Sequence, residues 1–147
     1  MRFFLALLLP LLAATLNAQS DSLPPLNREL LRYADPFIGT DAHGHTFPGA
    51  TAPFGMVQLS PDTRLEGWDG CSGYHNSDKK IYGFSHTHLS GTGVPDYCDL
   101  LFQPFMREIN LEPESYVTAF DKKTEFAEPG YYAVELGEGT DRVSVEL

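Results

Sequence analysis

Tyr131-Tyr132-Ala133-Val134-Glu135-Leu136-Gly137-Glu138-Gly139-Thr140-Asp141-Arg142-Val143-Ser144-Val145-Glu146-Leu147 is two runs of alternating apolar and polar residues joined by a glycine-bounded turn. A period of two sends successive side chains to opposite faces of an extended chain, and Gly137-Glu138-Gly139 permits a reversal. The pattern predicts an antiparallel pair, Tyr131 to Leu136 and Arg142 to Leu147. Working back along the chain, Tyr116 to Asp121 reads as a further strand and Met56 to Ser60 as a short one. Ile81 to Leu89 also reads as a strand, its alternation placing Tyr82, Phe84, His86 and His88 on one face. Tyr97 to Phe105 is nearly continuous apolar sequence and predicts a buried central strand, with Pro104 limiting where it pairs. Amphipathic helical periodicity is nearly absent beyond a turn or two at Asn27 to Tyr33. Many short strands between glycine and proline turns indicate an all-β fold, an antiparallel β-sandwich with a loop-rich amino-terminal half. Val143, Val145 and Leu147 form an apolar face with no turn, cap or polar tail after it, so the sandwich is expected to be partial and the chain a fragment or truncated gene model.

The 147 residues are one domain by length. Residues 1–18 carry the layout of a secretory signal peptide: Arg2, an apolar run from Phe3 to Leu12, then Leu16-Asn17-Ala18 as a small-residue exit. The run is too short to span a membrane. Residues 19–32, with Pro24 and Pro25, read as a lead-in segment, and residues 33–147 as the domain itself. An exported protein, periplasmic or at the cell surface, is expected. A net charge of −10 argues against nucleic acid and anionic membranes as partners and leaves neutral substrates such as sugars open.

The chemistry is concentrated between His43 and Asp99. That stretch holds all five histidines, Trp68, Cys71, Cys98 and nine of the thirteen glycines. At its centre Gly67-Trp68-Asp69-Gly70-Cys71-Ser72-Gly73-Tyr74-His75 is too rich in glycine for a helix and too polar for a buried strand, which predicts an ordered loop that displays side chains. The proline- and glycine-bearing segment from His45 to Gly55 predicts a loop fixed by aromatic residues packing inward.

Several chemistries compete for these residues. Trp68 beside Asp69 suits carbohydrate, since the apolar face of a pyranose stacks on an indole while its hydroxyls need carboxylate partners. His43-Gly44-His45 and His86-Thr87-His88 have a spacing that suits zinc or iron, with Asp96 and Asp99 to complete a site. The plainer reading is that these histidines satisfy buried backbone groups or bond a ligand's hydroxyls, so no metal ligand is assigned. Cys71 and Cys98 could form one disulfide, or Cys71 could be a free thiol lining a pocket. Cys71 near His75 lacks the third residue of a thiol nucleophile's machinery. Gly91-Thr92-Gly93 lacks the lysine and following helix of a phosphate loop and reads as a break.

Five ordered motifs together resemble one family. They are Tyr33 to Thr40; His43 to Thr51; Pro53-Phe54-Gly55-Met56; Gly67 to His75; and Gly83-Phe84-Ser85-His86-Thr87-His88-Leu89-Ser90-Gly91-Thr92-Gly93. From about Tyr33 to Leu147 the chain resembles the amino-terminal domain of the family 92 glycoside hydrolases, calcium-dependent exo-α-mannosidases of exported bacterial glycan degradation.

The resemblance implies an amino-terminal β-sandwich and a carboxy-terminal (α/α)6-barrel-like domain, with the active site in the cleft between them. It implies inverting hydrolysis of terminal α-mannosides on glycoproteins and N-glycans, in which one carboxyl protonates the leaving oxygen and another activates water. Calcium would engage two mannose hydroxyls and help to distort the sugar. The catalytic residues and calcium ligands fall in the second domain, beyond Leu147, so no catalytic residue is assigned here. The sandwich side of the sugar pocket would come from Trp68 and Asp69 foremost, then His43, Gly44, His45 and Cys71, with His86 and His88 bracing the loop. Two alternatives stay open: a free-standing carbohydrate-binding module, which cleaves nothing, and a histidine-ligated metalloprotein.

Overall fold

Alternation is obeyed most fully in the strand Tyr131–Leu136, where Tyr132, Val134 and Leu136 point inward and are buried while Tyr131, Ala133 and Glu135 look outward. A computed structural model describes residues 28–147 apart from Pro53, Tyr97 and Arg107. The signal-peptide stretch, residues 1–18, and residues 19–27 of the lead-in lie outside the described residues. In chain order the elements are α1 (Arg28–Leu31), β1 (Ser60–Asp62), β2 (Lys80–Ile81), β3 (Gly83–Ser85), β4 (Leu101–Phe102), α2 (Pro113–Tyr116), β5 (Thr118–Ala119), β6 (Phe126–Glu128), β7 (Tyr131–Leu136) and β8 (Val143–Glu146).

The fold is all-β, and every strand pairing among the described residues is antiparallel. β1, β3 and β4 form one sheet with Pro61 opposite Phe84 and Phe84 opposite Phe102. β6, β7 and β8 form another with Val134 opposite Val145, and β2 pairs with β5 through Lys80 and Ala119. Ile81, Phe84, Phe120, Tyr132, Val134 and Leu136 meet in one core, with Leu59, Ala127, Val145 and Leu147 packed against it. Apolar faces of the two three-stranded sheets therefore close on each other, the arrangement of a sandwich. Truncating a side chain as enclosed as Leu136 to alanine costs about 2–5 kcal/mol in such cores.

A polar network ties this core to the central loop. The buried phenols of Tyr74 and Tyr132 each donate to Glu125 Oε1 at 2.8 Å, and Lys122 Nζ donates to Glu125 Oε2 at 2.8 Å. Burial, reinforced by the adjacent Glu125 carboxylate, raises the pKa of both phenols.

Several sequence expectations are corrected. Met56 to Ser60 is not a strand; pairing starts with the isolated bridge between Ala50 and Leu59 and continues in β1. Ile81 to Leu89 is interrupted at Tyr82, whose N–H donates to the Asp62 carbonyl at the end of the ladder, and it bends after Ser85. His86 and His88 consequently diverge: His88 is buried, while His86 is half-buried and contacts the Leu100 carbonyl through Nδ1. Among the described residues of the apolar run expected to be a buried central strand, only Leu101–Phe102 forms a strand, and Phe102 is 58% exposed. Tyr116 closes a helical turn instead of opening a strand, and β6 has no counterpart in the sequence reading. Of the loop aromatics expected to pack inward, Phe47 does so, 4.9 Å from the His88 ring, whereas Phe54 is exposed.

Candidate functional site

The central loop divides in two. Gly67–Asp69 faces outward, with Trp68–Gly70 forming a single 3-10 turn, and Trp68 is 57% exposed. Gly70 to His75 then turns inward and is buried throughout. Hydrogen bonds fix this inward limb: Thr63 N–H donates to the Gly73 carbonyl at 2.7 Å, Ser72 Oγ–H to the Thr46 carbonyl at 3.0 Å, and Asn76 N–H to the Thr40 carbonyl at 2.8 Å. His75 contributes Nε2, 3.1 Å from the Ala42 carbonyl, and so pins the 39–46 loop beside the tryptophan.

Four of the residues singled out in the sequence meet here. The His45 ring stands edge-on to Trp68 with centroids 4.3 Å apart, and the His43 ring lies 5.1 Å from it. His43 Nδ1 bonds Asp69 Oδ1 at 2.5 Å, and His45 Nε2 lies 3.8 Å from the same oxygen. Sharing a hydrogen bond with His43 holds the Asp69 carboxyl below the usual carboxylate range, so it is ionised at neutral pH. His45 is buried in a left-handed backbone conformation, and its Nε2 has no hydrogen-bond partner. An exposed indole beside an ionised carboxylate and an exposed imidazole can stack an apolar ring face and bond the hydroxyls at its rim.

The chain from residue 33 to residue 147 matches the model of the glycosyl hydrolase family 92 N-terminal domain. The chain belongs to this family. It is 46% identical to a family GH92 α-mannosidase from Bacteroides thetaiotaomicron, solved with mannoimidazole, at a TM-score of 0.68 over 73% of this chain and 15% of that one. It is 31% identical to the GH92 family glycosyl hydrolase ccman5, at a TM-score of 0.60 over 80% of this chain and 16% of that one. An uncharacterized secreted glycosidase of Arthroderma benhamiae is 31% identical over 121 residues, which are 76% of this chain and 15% of the relative. The chain thus spans about 15% of the length of the relatives it matches.

In this family 92 domain the remaining candidates, Gly44 and Cys71, shape the backbone near Trp68. A Cβ on Gly44 would lie 2.0 Å from the Gly39 carbonyl oxygen, so the residue's absent side chain is what lets the His43–His45 loop close. Cys71 is 2% exposed and turned inward. Both cysteines are free thiols, and of the two states left open by the sequence the structure holds the unbonded one.

Two features of the site escaped the sequence. Gly93, read only as a break, packs on the indole: a Cβ there would stand 2.5 Å from Trp68 Nε1, and its φ of +70° favours glycine. Gly91 N–H donates to the His45 carbonyl at 2.6 Å, so the 91–93 turn forms a wall of the tryptophan site. The second feature lies apart from the tryptophan: Asp62 and Cys98 gather around His88, a grouping that the sequence did not signal although it singled out Cys98 and His88 separately.

Proposed function

We propose that this chain is the sandwich part of an exported α-mannosidase and that it supplies one wall of the pocket for the terminal mannose without supplying the catalytic carboxyls. The observation that carries the reading is the Trp68–Asp69–His43 face, an exposed indole whose neighbours are an ionised carboxylate and an imidazole 2.5 Å apart. Trp68 stacks the apolar face of the sugar; Asp69 accepts from its hydroxyls; His43 orients Asp69 and offers its own ring edge. Gly44, His45 and Cys71 set the loops that carry them. α-Mannoside glycans of glycoproteins are the substrate class, in keeping with the mannosidase among the relatives.

Inverting hydrolysis requires one carboxyl kept protonated at neutral pH. Asp41 and Asp69 are both held below the usual range, Asp41 by the Ala42 N–H and Asp69 by His43, which unsuits either for that role. The acid and base are assigned, as the family resemblance implies, to residues outside this chain.

Calcium is proposed as the cofactor of the whole enzyme, and it too is assigned elsewhere. Calcium takes six to eight oxygen ligands. Among the described residues the one cluster of potential ligands is Asp62, His88 and Cys98, which offers a thiol and an imidazole and does not fit.

Export rests on the residue 1–18 pattern, together with the secreted glycosidase among the relatives. No helix among the described residues is long and apolar enough to cross a membrane.

The test is release of mannose from an α-mannobiose by the intact protein, with and without a chelator. Hydrolysis that stops on chelation and returns with calcium is expected. Inactivity on every α-mannoside overturns the assignment, and binding without turnover favours a carbohydrate-binding module.

A further inference from the structure

His88 is locked from one side. Its Nδ1 lies 2.8 Å from the Gln58 carbonyl oxygen, which can only accept, so Nδ1 carries a hydrogen and donates it. The other ring nitrogen, Nε2, faces Asp62 Oδ1 at 2.9 Å and Ser85 Oγ at 3.1 Å. A ring nitrogen and a carboxylate oxygen at that separation, both buried, need positive charge between them. Either a proton or a metal ion supplies it.

Two observations favour the metal. Cys98 brings its sulfur to the same place, so that one ligand atom each from Asp62, His88 and Cys98 lie within 4.8 Å of one another. Asp62 is 1% exposed, yet its second oxygen, Oδ2, has no hydrogen-bond partner. A proton on His88 satisfies Oδ1 and leaves that oxygen stranded at the usual cost of an unpaired buried acceptor. A cavity of about 160 Å³, lined by Asp62, Cys71 and Cys98 among others, adjoins the cluster and leaves room for an ion with one further ligand.

We propose that Asp62, His88 and Cys98 form a binding site for a single divalent ion of the zinc class, with its fourth position on the cavity side. Carboxylate, imidazole and thiolate are the donors zinc accepts in tetrahedral sites, and His88 Nδ1–H on the Gln58 carbonyl is the outer bond that orients a ligating ring. The ligated set carries two negative charges, which a dication cancels. Loading releases two protons to solvent, the Cys98 thiol proton and the one held between His88 Nε2 and Asp62. Asp62 belongs to β1, His88 follows β3 and Cys98 precedes β4, so the ion clips all three parts of one sheet and stabilises it by linkage. The site is independent of the proposed calcium and of the sugar face.

The test uses the intact protein, stripped of metal with its thiols reduced, titrated separately with Zn²⁺ and Co²⁺. Expected are uptake of one equivalent, a thiolate-to-cobalt charge-transfer band in the near ultraviolet, slower reaction of Cys98 with a thiol reagent, and a raised Tm. Cys98→Ser, a small change at a half-buried position, is expected to keep the metal-free Tm and lose both the band and the Tm increase. Cys71→Ser is expected to keep the band. Absence of stoichiometric uptake overturns the proposal and leaves a proton between His88 and Asp62. Uptake with an unchanged band in Cys98→Ser overturns it equally, because the thiolate then lies elsewhere.

Discussion

His43 and Asp69, 26 residues apart in sequence, share a hydrogen bond of 2.5 Å at the foot of an exposed tryptophan. His43 lowers the Asp69 pKa, so the sign is that of a depressed carboxyl: the ionised carboxylate is present above the ordinary carboxylate range and is lost as pH falls through the lowered value. Binding of a non-hydrolysable mannoside to the intact protein is therefore expected to persist below about pH 4. In His43→Ala the acid limb is expected to move up toward that ordinary value. An acid limb at the same pH in both proteins shows that His43 does not govern the carboxylate.

Gly93 fixes where the indole lies. Gly93→Ala puts a methyl group 2.5 Å from Trp68 Nε1 at a φ of +70°. The indole must swing away or the 91–93 turn must shift. A loss of kcat/KM on α-mannosides is expected in the intact protein, together with a shift in Trp68 fluorescence in the 147-residue chain, where it is the single tryptophan. Unchanged kinetics and emission count against the wall assigned to this turn.

The buried phenols of Tyr74 and Tyr132 give the fold an alkaline limit. Their pKa values are raised by burial and by Glu125, so the folded state resists an ionisation that the unfolded chain undergoes near pH 10. Stability is intact below that pH and falls as pH rises above it, by about 1.4 kcal/mol per pH unit for each tyrosine. Thermal unfolding between about pH 9 and 11 is expected to show this, with a shallower slope in Tyr132→Phe. The same slope in wild type and variant removes Tyr132 from the account.

What could be read from the sequence followed how local the determining contacts are. The β7 and β8 strands were legible because alternation within each run is enough to bury Tyr132, Val134 and Leu136 together. The all-β class was legible too, from the spacing of turns. Leu101 and Phe102 misled, since an unbroken apolar run records hydrophobicity and not what covers it, and β4 is exposed. The histidines misled in another way: two matching His-x-His pairs suggested parallel roles. Tertiary pairing instead sends His43 and His45 to Asp69 and His88 to Asp62, in each case 26 residues away for the closest bond. Trp68 and Asp69 were legible as a displayed pair because flanking glycines disfavour a long helix or strand and leave only a single 3-10 turn. The inward turn of Cys71 was not, since it depends on Thr63, Thr46 and Thr40 accepting and donating from other loops.

The central claim is that the Trp68 face holds sugar, and it is tested most directly by kcat/KM of Trp68→Ala on an α-mannobiose in the intact protein, with Tm measured beside it. A fall of roughly tenfold to a hundredfold is expected with Tm nearly unchanged, because the indole is exposed and its loss removes a stacking surface, not core packing. A collapse of Tm with unchanged specific activity in the surviving folded protein contradicts the account and makes Trp68 a structural residue.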